Sequence, residues 1–169
     1  MRTPAVARSM EITSRHHLRS DAVRELEAIL ADRYGVELSA DRYELVELSD
    51  VDTELVLVDG EPLVAYFAEG EPSLTVKGAN ATEPTGHLVT VDAGAVSFVS
   101  DGADVMRPGI VDATDDIAEG DVVLVAEETH GKVLAVGRSR VPAGDLLGDA
   151  GKVVDSLHHV GDDLFGFEP

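Results

Sequence analysis

Apolar positions recur along the first half of the chain at spacings that distinguish one helix from several strands. In SDAVRELEAILADRYG, residues 20–35, they follow the i, i+3, i+7 spacing of an amphipathic helix. Ser20 is the predicted N-cap of this helix and Gly35 its predicted C-terminal stop. The apolar stripe is formed by Val23, Leu26 and Leu30.

Three short apolar segments follow, and each is typical of a β-strand. They are YELVEL at 43–48, ELVLV at 54–58 and LVAYFA at 63–68. Asp59-Gly60, between the second and third segments, predicts a hairpin turn. The third segment has few polar positions, which predicts that both of its faces are buried. With the helix, these segments predict a small α+β unit.

A stretch rich in glycine and proline separates this unit from a second set of strands. The stretch is EGEPSLTVKGANATEPTG, residues 69–86, and its composition is typical of turns and loops. We place a boundary at Thr85-Gly86. The sequence therefore predicts an N-terminal α+β domain over 1–85 and a second domain over 86–169.

The second half alternates short strands with turns. Segments 88–91, 122–127 and 132–140 are predicted strands, and 151–169 is expected to supply at least one more. A short helix is predicted over 93–100, with Asp92 as its N-cap and with Gly137 marking a bulge in a later strand. Several short strands with one or two short helices predict a small closed or pseudo-closed β-barrel. The fold class is α+β.

Charge is the strongest compositional signal. The chain has 33 acidic and 13 basic residues, a formal net charge of -20, and ten of its basic residues are arginine. One interpretation is an acidic surface that binds basic partners; the one we favour is a halophilic cytoplasm, where scattered acidic residues keep proteins soluble in molar salt.

The absence of cysteine excludes disulfides, thiol nucleophiles and cysteine-ligated zinc. No apolar run is long enough to span a membrane, so a cytoplasmic location is expected.

The N-terminal segment departs from the acidic trend. Residues 1–33 contain six arginines against five acidic residues. Such a segment is a candidate contact for an acidic partner such as RNA, or for a partner protein. The candidate residues are Arg15, His16, His17 and Arg19.

No motif for catalysis or metal binding stands out. The sequence lacks GxSxG, Walker, GxGxxG and HExxH patterns. The histidine pairs 16–17 and 158–159 are adjacent, and neighbours on a strand point to opposite faces, so a pair cannot chelate one metal. One of His158 and His159 is expected to be packed inside, and His130 is expected in a hairpin turn. We predict a protein that is not an enzyme and uses no metal or cofactor.

The second half resembles a PUA domain, the RNA-binding barrel found in pseudouridine synthases and archaeosine transglycosylases. The motifs occur in order within VTVDAGAVSFVSDGADVMRPGIV, EGDVVLVAEETHGKVLAVGRS and GKVVDSLHHVGDDLF. The first half, with RHHLRSDAVRELEAIL and LVDGEPLVAYFAEGEPSLTVKG, is similar to the N-terminal domain of the MCT-1 family of translation factors. The resemblance implies a non-enzymatic RNA-binding protein of the translation machinery, contacting a tRNA 3′-CCA end or small-subunit rRNA. It also implies association with the small ribosomal subunit and a SUI1-type partner protein, and no binding to DNA.

The resemblance places the RNA contact in the turn after the short helix, within SDGADVMRPGI. Two glycines allow close backbone approach to a phosphate, successive N–H groups could form an anion nest, and Arg107 offers a planar fork or a stacking surface. Val105 and Met106 either pack against a base or belong to the core. The predicted RNA-binding residues are Gly102, Ala103, Asp104, Val105, Met106, Arg107, Pro108 and Gly109, with Arg138 and Arg140 on one strand face and Lys152 beside the last strand.

Two other functions remain open from sequence. The chain could be an RNA-targeting subunit of a pseudouridine synthase or archaeosine transglycosylase type of enzyme, or an acidic protein–protein interaction module. In molar salt the Debye length is about 3 Å, which favours short-range contacts over long-range attraction by lysines.

Overall fold

A computed structural model describes residues 10–68 and 71–169 of the chain. Within them, five antiparallel strands form a first sheet and six strands form a second. The first sheet has the order β1-β2-β3-β4-β5, with β1 (Ile12–His17), β2 (Tyr43–Leu48), β3 (Glu54–Val58), β4 (Glu61–Ala68) and β5 (Glu71–Leu74). Helix α1 (Ser20–Tyr34) joins β1 to β2, and α2 (Val76–Ala81) follows β5.

Strands β2 and β3 have the predicted bounds, and Asp59 and Gly60 form the predicted turn with φ of 50° and 87°. Strand β4 begins two residues before the predicted segment. Val64 and Ala65, neighbours on this strand, are both fully buried, so the prediction that both faces are covered is confirmed. Strand β1 was not predicted.

Helix α1 ends as predicted and begins differently. Gly35 lies in the left-handed region. Its N–H donates to the carbonyl of Ala31, and the N–H of Val36 donates to the carbonyl of Leu30. At the other end Arg19 is the N-cap, with no side-chain capping bond, so the prediction that Ser20 caps the helix is wrong. The N–H groups of Thr85 and Gly86 donate to the carbonyl of Tyr34, which attaches the segment between the sheets to the end of α1.

The second sheet is a nearly closed barrel, as predicted. Its order is β7-β11-β10-β9-β6-β8, with β6 (Leu88–Val91), β7 (Val105–Met106), β8 (Ile110–Ala113), β9 (Val122–Glu127), β10 (Val133–Ser139) and β11 (Lys152–His159). The short helical segment before β7 is a 3₁₀ turn, Ala93–Ala95, continued by α3 (Val96–Ser100). Edge strands β7 and β8 are consecutive in the chain and are joined by the 3₁₀ turn Arg107–Gly109, which closes the seam of the barrel.

Gly137 produces the predicted bulge. The register between β10 and β11 shifts at Val136/Gly137. A Cβ at Gly137 would lie 2.5 Å from Cγ1 of Val154 and 2.7 Å from the carbonyl oxygen of Asp155. The close approach of β11 therefore requires a residue without a side chain.

One apolar core joins the first sheet to the barrel. Leu30, Tyr34 and Val64 share a cluster with Leu124 and Val136 of the barrel. The hydroxyl of Tyr34 lies 3.1 Å from Ser73 Oγ and donates toward the carbonyl of Val122 at 3.4 Å. The division into domains at 85/86 coincides with the change of sheet and stays a prediction.

The residues after β11 return to the first sheet. Leu164 packs against, and Phe167 belongs to, a cluster that contains Val46, Leu55 and Leu57. Phe167 is 6% exposed. The segment therefore covers the face of the first sheet opposite the joint core.

Candidate nucleic-acid interface

An open groove of about 660 Å³ lies at the seam of the barrel. The 3₁₀ turn and α3 form one wall, and β7 with the Arg107–Gly109 turn forms the other. Most of its lining is apolar, including Ala95, Phe98, Met106 and Pro108, and its polar lining residues are Asp92, Asp104 and Lys152.

Two large apolar side chains at the groove face solvent. Phe98 is 66% exposed and Met106 is 48% exposed, while Val99, next to Phe98, is 2% exposed and packs in the barrel core. Helix α3 therefore buries Val99 in the barrel core and exposes the neighbouring Phe98 to solvent. Met106 is not a plug of the barrel, which answers the question that the sequence left open.

The start of the helical segment is fixed from two sides. Oδ1 of Asp92 accepts a hydrogen bond from the Ala95 N–H at 3.0 Å, which confirms Asp92 as the predicted N-cap. The Asp92 N–H donates to the Gly109 carbonyl at 2.9 Å. These bonds connect the two walls of the groove.

Lys152 is the basic residue of the groove lining, and it is paired. Its Nζ lies 3.1 Å from Oδ2 of Asp104, and Oδ1 of Asp104 accepts the Ser156 N–H at 2.7 Å. The Ser156 hydrogen bond and the Lys152 charge lower the pKa of Asp104, against the opposing effect of burial. Asp104 therefore remains a carboxylate that holds β7 to β11 and orients Lys152.

Three N–H groups of the turn are bound within the protein, and an anion nest there stays a prediction. The N–H groups of Gly102, Ala103 and Arg107 donate to carbonyls of Val99, Phe98 and Gly151, so they are not available to a phosphate. Gly102 has a φ of 94°, whereas Gly109 does not have a positive φ. A Cβ at Gly102 would lie within 3 Å of the His159 ring, so the close approach there is to a histidine.

Arg107 and Val105 have structural contacts. Arg107 donates from Nε to the carbonyl of Asp145 at 2.9 Å and from Nη1 to the carbonyl of Ala150 at 3.0 Å. Val105 is 3% exposed in the barrel core, so its side chain cannot pack against a base. The burial of Val105 agrees with the core alternative given for it in the sequence analysis, and RNA contact by Arg107 stays a prediction.

The predicted pair of arginines on β10 is separated. Arg138 donates to the carbonyl of Gly120 at 2.8 Å, on the side of β9. Arg140, one residue past the strand, binds Asp155 of β11 with N–O distances of 2.7 and 3.0 Å. The two guanidinium groups therefore do not form a single stripe, and contact of either with RNA stays a prediction.

Of the N-terminal basic residues, Arg15, His16 and His17 lie on β1 and Arg19 lies at the start of α1, and none of them lines the groove. Arg15 on β1 forms a bidentate pair with Glu44, at 2.8 and 3.1 Å, and Arg19 lies 3.6 Å from Asp21. His16 and His17 are exposed on the same strand. Arg2 and Arg8 of this segment lie outside the described residues, and contact of the segment with RNA or a partner stays a prediction.

The remaining histidines have structural partners. His158 is 1% exposed, as predicted for one of the pair, and His130 lies in the β9–β10 turn. His87, 7% exposed, lies between Asp116, Asp121 and the carbonyl of Arg33.

Over residues 10–68 and 71–169 there is no group of three His, Asp or Glu side chains arranged to hold a metal. In the same residues no helix is both long and apolar enough to cross a bilayer.

Phe98 is the site residue that sequence reasoning missed. The predicted helix 93–100 is too short for its periodicity to separate an inward from an outward face. The available signal was an aromatic residue next to the candidate turn in a chain with only 4% aromatic residues.

Comparison with known proteins agrees with this architecture. The PUA domain family matches residues 87–161. The chain is 36% identical to an uncharacterized protein of Methanocaldococcus jannaschii, over 94% of this chain and 99% of that protein. It is 31% identical to Translation machinery-associated protein 20 of Saccharomyces cerevisiae, over 93% of this chain and 94% of that protein. The crystal structure of a hypothetical protein from Pyrococcus horikoshii OT3 superposes with a TM-score of 0.80 at 31% identity, covering 90% of this chain and 98% of that one. The chain therefore belongs to the MCT-1-like family of PUA-domain proteins that includes yeast Translation machinery-associated protein 20.

Proposed function

We propose that this protein is a non-enzymatic RNA-binding protein that works with the translation machinery and holds an unpaired nucleotide in the groove at the barrel seam. The observation that carries the proposal is the pair of exposed side chains, Phe98 and Met106, on a cavity of about 660 Å³ beside Lys152. Membership of a family that includes a translation machinery-associated protein supports it.

The chemistry of the groove suits a base better than a phosphate chain. An aromatic ring and a thioether give a sequence-tolerant stacking platform for an unstacked base. Asp92 and Asp104 repel phosphate from the groove itself, so the backbone would run along the rim where Lys152 lies. The RNAs proposed are a tRNA 3′-CCA end or an unpaired segment of small-subunit rRNA.

The net charge of -20 fits a halophilic cytoplasm, the location proposed for this protein. Charge–charge attraction is screened within about 3 Å in molar salt, whereas stacking is short-ranged and survives. Binding should therefore depend weakly on salt. A slope of log K against log [KCl] equivalent to about six or more released counterions would contradict this mechanism.

The decisive experiment compares truncations of two large apolar side chains that are both exposed to solvent. Phe98→Ala removes the stacking platform, and Leu157→Ala removes a side chain that is 38% exposed on β11 next to the first sheet. Affinity for a tRNA transcript with an intact 3′-CCA end is measured in molar KCl. Base–aromatic stacking contributes about 1–3 kcal/mol, so Phe98→Ala should weaken binding roughly 5- to 150-fold and Leu157→Ala should leave it unchanged. Equal affinity of the two variants would refute the groove as the RNA site.

Two further measurements distinguish between the proposed RNA ligands and between the proposed partners. A transcript lacking the CCA end should bind more weakly if the acceptor end is the ligand, and equally if small-subunit rRNA is. Sedimentation of native extract at high potassium should place the protein with the small ribosomal subunit, where a SUI1-type partner is also proposed. Copurification with a modification enzyme, or associations that survive RNase, would replace the proposal with one of the two alternatives.

A further inference from the structure

Arg107 anchors the loop that precedes β11. Its Nε and Nη1 donate to the carbonyls of Asp145 and Ala150, and its backbone N–H donates to the carbonyl of Gly151 at 2.8 Å. One residue therefore makes three hydrogen bonds to the loop 145–151.

Two glycines leave room for this arrangement. A Cβ at Gly148 would lie 3.0 Å from Cδ of Arg107, and a Cβ at Gly151 would lie 2.9 Å from Nη1. Gly151 also has a φ of 104°, which other residues rarely adopt. The loop is shaped around the arginine side chain, which argues against a guanidinium that swings out to meet RNA.

The anchored loop leads directly into the groove. Lys152 follows Gly151 and pairs with Met106 in the register of β7 and β11. The three bonds of Arg107 thus fix where β11 begins, and with it the distance between the ammonium of Lys152 and the apolar face of Met106.

We propose that Arg107 is a positioning residue that sets Lys152 and Met106 in place, and is not itself a phosphate ligand. The proposal rests on the proposed function of the groove. A side-on bidentate contact with phosphate needs the Nε–H, which is donated to Asp145. Arg107 acts on RNA through the loop and Lys152.

The first test needs no RNA. Hydrogen exchange of the amides between 145 and 152 is compared in the wild type, Arg107→Met, Arg107→Lys and Lys152→Met. Both Arg107 variants lose the planar fork and should exchange about tenfold faster in this loop, because the loss of the hydrogen bonds lowers the local opening free energy by about 1.4 kcal/mol. Lys152→Met should exchange as the wild type does. Unchanged protection in both Arg107 variants would overturn the proposal, whatever the protein binds.

The second test is a double-mutant cycle in tRNA affinity. If Arg107 acts through Lys152, Arg107→Met, Lys152→Met and the double variant should bind about equally, each roughly five- to tenfold weaker than the wild type. Arg107→Lys, which keeps the charge, should then be as weak as Arg107→Met. Additive losses, with Arg107→Lys close to the wild type, would identify a direct phosphate contact and overturn the proposal.

Failure of the proposed function gives a different result. In that case the wild type and all of these variants show no tRNA affinity, while the exchange experiment still reports whether Arg107 holds the loop.

Discussion

Replacing His158 by leucine should destabilise the protein strongly although it adds apolar volume to a buried site. His158 is 1% exposed, and its two ring nitrogens bind different parts of the chain. Nε2 accepts the Val76 N–H at 3.2 Å, so Nδ1 carries the proton and donates to Oδ2 of Asp162 at 2.8 Å. One side chain of β11 thus connects the start of α2 to the C-terminal segment.

The magnitude follows from the groups left without partners. A buried N–H that loses its acceptor costs about 1–3 kcal/mol, and a hydrogen bond to a carboxylate is worth about 1.5–3 kcal/mol. The additional apolar surface that leucine buries offsets about 1 kcal/mol of this loss of stability. We expect His158→Leu to lower the free energy of unfolding by about 2–4 kcal/mol and the melting temperature by roughly 4–16 °C.

The loss should depend on pH. Burial raises the pKa of Asp162, but hydrogen bonds from the His158 ring and from the N–H groups of His159 and Phe165 lower it overall. Because the folded-state pKa is below the unfolded value, this stabilisation is complete above the unfolded pKa and is lost as pH falls through the folded one. The difference in the free energy of unfolding between the wild type and His158→Leu should therefore become smaller below about pH 4.

The assay is urea unfolding in molar KCl, followed by far-UV circular dichroism at several pH values. His130→Leu is the matched control, because the His130 side chain is 73% exposed in a turn. It should unfold within about 0.5 kcal/mol of the wild type. A His158→Leu variant as stable as His130→Leu would refute the reasoning.

Three other substitutions test separate features. Gly137→Ala should lower the free energy of unfolding in urea by about 1–3 kcal/mol because the added Cβ collides with β11. Gly144→Ala, with no atom within 4 Å of the added Cβ, should change it by less than about 0.5 kcal/mol. Equal effects of the two substitutions would contradict the close packing at Gly137. Asp92→Ala removes the N-cap and should lower the free energy of unfolding by about 1 kcal/mol. It should also weaken tRNA binding, because the helix that carries Phe98 is held less firmly; unchanged affinity would show that the cap does not contribute to RNA binding. Asp104→Asn should reduce the loss of stability that occurs below about pH 4, because the folded-state pKa of this carboxyl is lowered and its stabilisation is lost as pH falls through that pKa. An unchanged loss of stability in acid would be inconsistent with the pairing of Asp104 with Lys152.

Much of the fold was accessible from local sequence. Strands β2, β3, β6 and β9 have the predicted bounds because their apolar residues are grouped between clear turns. Strand β1 was missed because its sequence is largely polar, and it is held by pairing with β2 and by the Arg15–Glu44 ion pair. Pairing across the chain, not local propensity, defines that strand.

The sequence pointed to a segment that borders the proposed groove, but not to the contacts that its individual residues make. The segment 102–109 does border the groove, whereas the roles within it depend on distant partners. Arg107 binds carbonyls 38 and 43 positions away in the chain, and the burial of Val105 depends on the barrel closing around it. Neither contact leaves a local signal that single-sequence reasoning could use.

The packing of Phe167 has a consequence for the order of events during synthesis. The strands of the first sheet have all been made once Leu74 leaves the ribosome, yet the residue that covers Leu55 and Leu57 is made only after the whole barrel. Throughout that interval the nascent chain carries an uncovered apolar face. We expect this half of the protein to reach its final packing last, although it is translated first.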